Sequence, residues 1–174
     1  MALSHHPRPL ISAGRIAARC RQLGRQIACD HAESPPILIA LLGGAFCFVA
    51  DLSRSIPLSG LELRFSRASS YGSETTSSGH VSVAQIPDCS QRQVVVVDDI
   101  LDTGRTLEAV TQAVWAAGAS QVRSCVLLDK PSRRVASITA DYIGFTIPDR
   151  FVVGYGLDYD GHYRHLPDVC VIDA

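Results

Sequence analysis

The run Val94-Val95-Val96-Val97 constrains this chain more than any other feature. Four consecutive β-branched residues suit a pleated strand covered on both faces, and their stiff χ1 torsions disfavour a helix. The chain continues Asp98-Asp99-Ile100-Leu101-Asp102-Thr103-Gly104-Arg105-Thr106, which puts three carboxylates into five positions. Beyond Thr106 the apolar residues Leu107, Val110, Val114 and Trp115 recur at helical spacing, and Gly118 closes the segment. A buried strand that turns into a helix N-terminus is where open parallel sheets bind ligands. Backbone N–H groups there favour an anion, above all a phosphate. The acids just before them would repel a phosphate and suit hydroxyls or a metal. A ligand carrying both a phosphate and a sugar diol satisfies both halves. Acid pairs also occur in phosphoacceptor domains, but those usually place the acids on separate strands and do not add Thr-Gly-x-Thr.

The flanking segments alternate in kind. Ser12 stands where it can cap a helix carrying Ile16, Ala17, Cys20, Leu23 and Ile27, with arginines 15, 19, 21 and 25 on its outer side. Pro35-Pro36 ends that unit, and residues 37–42 read as a second fully buried strand. Gly43-Gly44 then turns the chain into a short helix through Phe46, Val49, Ala50 and Leu52, closed by Pro57. Residues 61–65 alternate, which predicts a strand with one wetter face. Residues 69–79 are polar and aperiodic, and Val81 and Val83 resume a strand, making a hairpin with a long arm. Residues 122–128 form another apolar strand, followed by Asp129-Lys130-Pro131-Ser132-Arg133-Arg134. Short late strands are expected at 142–145, 151–155 and 169–172. This pattern predicts an α/β fold with a mostly parallel central sheet flanked by helices. One domain is expected over 1–174, with a core at about 30–145 and a small hood from about 1–30 and 146–174 over the ligand edge.

Composition excludes several classes. With 16 basic and 17 acidic residues the chain has no charge excess to hold nucleic acid or an anionic membrane. The six cysteines are scattered, without a CxxC pair, as expected for thiols in a reducing compartment. No apolar run reaches membrane-spanning length, and the first residues lack a basic-then-apolar signal pattern, so a cytoplasmic location is expected. Lys130 is the only lysine in an arginine-rich chain.

Val-Val-Asp-Asp-Ile-Leu-Asp-Thr-Gly-Arg-Thr resembles the phosphoribosyl-pyrophosphate motif of the type I phosphoribosyltransferases. Ser69-Ser70-Tyr71-Gly72, Leu128-Asp129-Lys130-Pro131 and the stretch from Ile147 to Tyr159 narrow the resemblance to the hypoxanthine-guanine branch. It runs from about residue 37 to the end, with four separated motifs in the family's order. The resemblance implies attack of a purine nitrogen on C1′ of phosphoribosyl pyrophosphate, with Mg²⁺ as cofactor. It implies that Asp98 and Asp99 hold the ribose hydroxyls and that Asp102, near purine N7, takes the proton the base loses. The family commonly has Glu where Asp98 stands. Asp102, Thr103, Gly104, Arg105 and Thr106 match the 5′-phosphate loop, and Leu42, Gly43 and Gly44 the pyrophosphate loop. Family members often carry a basic residue in place of Leu42, and this loop can hold a non-proline cis peptide, which would fall between Leu41 and Leu42.

By the same resemblance Lys130 donates to the purine O6, Phe151 stacks on the ring and Val152 supplies backbone contacts. Arg164 meets pyrophosphate, and Asp158 joins Asp98 and Asp99 as a metal-associated acid. Ser70 and Tyr71 tip a lid that excludes water. Partners are then phosphoribosyl pyrophosphate and a 6-oxopurine, in a homodimer or homotetramer. The early helix and the Phe46–Leu52 segment are the candidate interface. Two other readings stay open: a xanthine-preferring enzyme, and a non-catalytic regulator sensing phosphoribosyl pyrophosphate on the same fold. The regulator should add a DNA-binding unit or a basic face. His162 and His165, lacking a third ligand nearby, read as surface residues, and Glu74, Arg133 and Arg134 as solvated loop charges.

Overall fold

The valine run lies in the middle of a six-stranded sheet, and none of its four side chains reaches solvent. The computed structural model describes residues 6–70 and 81–172. Along the chain come β1 (Arg8–Ile11), α1 (Ala13–Asp30), β2 (Ile37–Leu42), α2 (Phe46–Arg54), β3 (Glu62–Ser70) and β4 (Val81–Val83). There follow β5 (Gln93–Leu101), α3 (Arg105–Ala116), β6 (Gln121–Asp129), a 3-10 turn (Pro131–Arg133), β7 (Tyr142–Thr146), β8 (Val152–Val153) and β9 (Val169–Val171). The main sheet has the order β4-β3-β2-β5-β6-β7, with every pairing parallel except β3 with β4.

Alternation along the central strands sorts the core into two layers. Leu38, Ala40, Val95 and Val97 pack with the apolar stripes of α1 and α2, whereas Ile37, Ile39, Val94 and Val96 pack with Leu107, Val110 and Val114 of α3. Helices therefore cover both faces, as the uninterrupted apolar strands require. Trp115, counted in the helical spacing, is instead 49% exposed at the end of α3. Among the described residues no helix is long and apolar enough to cross a membrane.

The hood is a second, antiparallel sheet of order β1-β9-β8, which joins the two ends of the chain. Its first strand was not expected: Arg-Pro-Leu-Ile is too short to show a period, and only its pairing with β9 makes it a strand. The hood also caps α1. The Ser12 side chain makes no capping bond; Asp168 instead accepts the Ala13 N–H at 2.7 Å across the sequence. An Asp168→Ala variant is expected to lose about 1 kcal/mol of stability, read as a fall in Tm of roughly 2–4 °C for a chain of this size. An unchanged Tm would show that solvent caps the helix equally well.

Strand β3 extends well past the expected 61–65, because it pairs with the whole of β2 and then with β4. Its wetter face is the apolar one. Leu63 and Phe65 are exposed, whereas Glu62 is bracketed by Arg64 at 2.8 Å and Arg92 at 2.5 Å.

Candidate active site

Pairing between β2 and β5 ends at Ala40 and Val97, but β5 continues against β6 as far as Leu101. The two strands part where the acids begin. The opening forms a cleft of about 260 Å³ lined by Leu41 to Gly44, Asp98 to Gly104, and Thr106. Asp98 and Asp99 are thus still strand residues, and each carboxylate accepts the N–H of the next residue, at 2.9 and 2.8 Å. Burial, and after it the charge of Asp99, push the Asp98 carboxyl well above the usual carboxylate range; burial also raises Asp99. Two adjacent acids so placed favour a ligand that brings hydroxyl donors or a cation. The Asp99 carboxylate reaches so far across the cleft that a Cβ on Gly44 would stand 1.5 Å from its Oδ2. Only glycine fits opposite it.

Leu42 and Gly43 form the cleft wall as expected, but the cis peptide joins Leu42 to Gly43, one residue after the expected position. Thr103, Gly104 and Thr106 line the far end, whereas Arg105 is exposed and does not line it. Gly104 has φ +88°, and a Cβ there would meet Ile138 and Arg134 at 2.9 and 3.0 Å. Glycine is required here by close packing against the chain's own segment 134–138 as well as by its left-handed conformation.

Beyond Asp102 lies a second cavity of about 410 Å³, lined by Ile100, Asp102, Lys130, Arg133, Asp149, Phe151, Val152, Leu157 and Asp158. Ile100 and Asp102 belong to both cavities. Lys130 is only 7% exposed and has no ion-pair partner among the described residues, a rare state for a lysine. Phe151 stands 45% exposed at the rim, edge-on to Tyr159 with ring centroids 5.5 Å apart.

Asp158 is paired with Arg164 at 2.9 Å and accepts the Gly161 N–H at 2.8 Å. Arg164 also donates to the Gly156 carbonyl at 2.6 Å, and its guanidinium hangs over Gly43. Arginine therefore reaches the Leu42–Gly43 loop from the C-terminal segment, where Leu42 itself carries no charge. Asp158 does not join Asp98 and Asp99 in one cluster: among the described residues no three acids, histidines or cysteines stand together as a metal site. His162 and His165 are both exposed. Ser70 ends β3, and Tyr71 and Glu74 lie outside the described residues.

Arg134 corrects the expectation of a solvated charge, whereas Arg133, 49% exposed, is a solvated one that has a partner. Arg133 donates to Asp102 Oδ1 at 3.1 Å, and Arg134 donates both to the Asp102 carbonyl at 2.6 Å and to the Asp129 carboxylate. Their partners on the 98–106 stretch lie some thirty positions away, a separation that leaves no local pattern. Gly44 is expected in the pyrophosphate loop, but neither its close fit against Asp99 nor the contact made by Tyr155 leaves a local signal. The Tyr155 hydroxyl donates to Asp51 of α2 at 2.5 Å, which ties the hood to the helix following the Gly43-Gly44 turn.

A protein-family model, the phosphoribosyl transferase domain, matches residues 10–160. The chain is 41% identical to the hypoxanthine phosphoribosyltransferase of Escherichia coli K12 over 169 residues, 95% of this chain and 94% of that protein. It is 41% identical to the hypoxanthine-guanine phosphoribosyltransferase of Bacillus subtilis 168, over 94% of this chain and 91% of that one. The crystal structure of a Staphylococcus aureus hypoxanthine phosphoribosyltransferase superimposes with a TM-score of 0.89 at 36% identity, covering 95% and 91% of the two chains. With the fold shared and about two residues in five identical over nearly the whole length, the chain belongs to the type I phosphoribosyltransferases, in their hypoxanthine-guanine branch.

Proposed function

We propose that this protein is a purine-salvage enzyme that transfers the phosphoribosyl group of phosphoribosyl pyrophosphate to hypoxanthine or guanine, giving IMP or GMP and pyrophosphate. One observation carries the reading: Asp102 lies on the wall shared by two cavities, one suited to a sugar phosphate and the other to a flat base. A transferase needs its two substrates to meet at such a wall. Asp98 and Asp99 accept the ribose hydroxyls. The loop from Asp102 to Thr106 receives the 5′-phosphate on its N–H groups and threonine hydroxyls, and Arg105 contributes through its backbone alone. Leu42, Gly43 and Arg164 hold the pyrophosphate. In the second cavity Lys130 donates to the purine O6, Phe151 covers the ring, Val152 offers backbone at its edge, and Asp158 faces the same space while anchoring Arg164. Asp102 takes the proton released from the imidazole edge as the bond to C1′ forms. Ser70 and Tyr71 belong to the lid that excludes water from the activated sugar.

The Asp98–Asp99 pair fits Mg²⁺, a hard cation, because two consecutive carboxylates line one cleft and neither has an ion-pair partner within 4 Å among the described residues. When bound, the metal neutralises pyrophosphate charge. A donor lysine selects 6-oxopurines over adenine, whose amino group would meet a second donor. Steady-state rates with hypoxanthine, guanine, xanthine and adenine test the assignment: hypoxanthine and guanine are expected to be turned over. Preference for xanthine would move the substrate, and binding of phosphoribosyl pyrophosphate without turnover of any base would favour a regulator. Lys130→Ala is expected to raise KM for hypoxanthine by about tenfold or more, the worth of a charge-assisted hydrogen bond, with KM for phosphoribosyl pyrophosphate nearly unchanged. Equal rises in both would make Lys130 structural.

The reading takes 1–174 as one phosphoribosyltransferase domain. A cytoplasmic setting agrees with six unpaired thiols. For assembly as a homodimer or homotetramer, Ile16, Leu23 and Ile27 of α1 and Phe48, Val49 and Leu52 of α2 are buried within the chain, which leaves Phe46, 44% exposed, as the large apolar residue that the α1–α2 face can offer. Leu63 and Phe65 on β3 are the exposed apolar alternative.

A further inference from the structure

The three carbonyls that precede Gly104 are all tied to one segment. Leu101 accepts the Lys130 N–H at 3.0 Å, Asp102 accepts the Arg134 guanidinium at 2.6 Å, and Thr103 accepts the N–H groups of Val135 and Ala136 at 2.9 and 3.0 Å. In a planar trans peptide the N–H points opposite to the C=O of the same unit. Pulling these carbonyls towards the 130–136 segment therefore turns the N–H groups of Asp102, Thr103 and Gly104 away from it. No protein acceptor among the described residues takes any of the three. Buried or half-buried donors left open in this way await a ligand.

Two of the three carbonyls are held by backbone, and only that of Asp102 depends on a side chain. Arg134 makes this contact with one arm of its guanidinium while the other engages Asp129, at the end of β6, directly before Lys130. The pair is largely shielded, with the Arg134 and Asp129 side chains 16% and 9% exposed. The planar fork of arginine serves two acceptors at fixed angles, which the single ammonium of lysine cannot do. The Arg134 side chain also packs beneath Gly104, where a Cβ would approach its Cδ to 3.0 Å.

We propose that Arg134 is a positioning residue for the phosphate loop. Anchored on Asp129, it holds the Asp102 carbonyl against the 130–136 segment, which keeps the open N–H groups turned into the cleft and locks that loop to the segment carrying Lys130. The proposal rests on the reading of the cleft as a 5′-phosphate site.

The test compares Arg134→Met, Arg134→Lys and the double variant Arg134→Met/Asp129→Asn by steady-state kinetics, IMP binding and thermal unfolding. Arg134→Met is expected to raise KM for phosphoribosyl pyrophosphate and Kd for IMP by about tenfold or more, with KM for hypoxanthine within about twofold. Because Asp129 is left buried and unpaired, Tm should fall as well. The double variant should recover Tm without recovering either phosphate-dependent constant, and Arg134→Lys should behave likewise. Wild-type constants for phosphoribosyl pyrophosphate in Arg134→Met or Arg134→Lys would overturn the proposal. So would their return together with Tm in the double variant, which would make Arg134 a stabilising residue only. A wild-type protein that neither turned over hypoxanthine nor bound IMP would instead defeat the functional reading.

Discussion

Exchange of Asp102 for asparagine is expected to lower kcat by about two to four orders of magnitude, the span that general-base catalysis supplies, while the fold survives. Asparagine keeps the shape and one acceptor oxygen of the side chain but offers no basic site for the proton that the purine must lose. Among the described residues the carboxylate has one partner, Arg133 Nε at 3.1 Å, in an ion pair whose side chains are 49% and 37% exposed. Solvent screening makes such a pair worth little, so Tm should move by no more than about a degree or two. The backbone carbonyl that Arg134 holds is unaffected by the exchange. Binding of phosphoribosyl pyrophosphate should therefore stay near the wild-type value, and the loss should appear in turnover. Single-turnover rates with hypoxanthine separate chemistry from product release. A kcat close to that of the wild type would remove Asp102 from the role of base and leave it as part of the loop alone.

How much of this site the sequence could disclose depended on the range of the interactions involved. The valine run, the acids and the Thr-Gly-Arg-Thr turn are contiguous, so strand, cleft and helix start were all visible as local pattern. Lys130 stood out because it is the only lysine, and the structure adds that it is nearly buried. The hood from the two terminal segments was legible in outline, but individual contacts between distant segments were silent. A charge in a loop reads as solvated until its partner is known, which is why neither the contact of Arg133 with Asp102 nor the shielding of Arg134 shows in the sequence. The same holds for Asp168 as the cap of α1, and for β1, a strand only because β9 lies beside it. Period-two alternation marked β3 but not which face would be covered, and its apolar residues turned out to face solvent. The pairing of Asp158 with Arg164, six positions on, likewise left no signal in the residue pattern.

Gly44→Ala is expected to act as strongly as the loss of an acid, although it adds a single methyl group. That methyl would begin 1.5 Å from Asp99 Oδ2 and 2.7 Å from its Cγ, so the carboxylate must leave its place. The backbone at Gly44 lies outside the left-handed region, and alanine can adopt it without strain. The cost therefore falls on the position of Asp99 rather than on folding. A reacting group moved by an ångström or so can cost about a hundredfold in rate, and kcat/KM for phosphoribosyl pyrophosphate should fall by that order with a small change in Tm. The decisive measurement is a double-mutant cycle with Asp99→Ala. If the methyl acts by displacing the carboxylate, it has nothing left to displace once Asp99 is truncated, and Gly44→Ala should cost little in that background. Additive losses would mean that the added methyl disturbs the Leu42–Gly43 loop directly. Strong non-additivity would establish that the glycine opposite the acid pair is there to give Asp99 its reach.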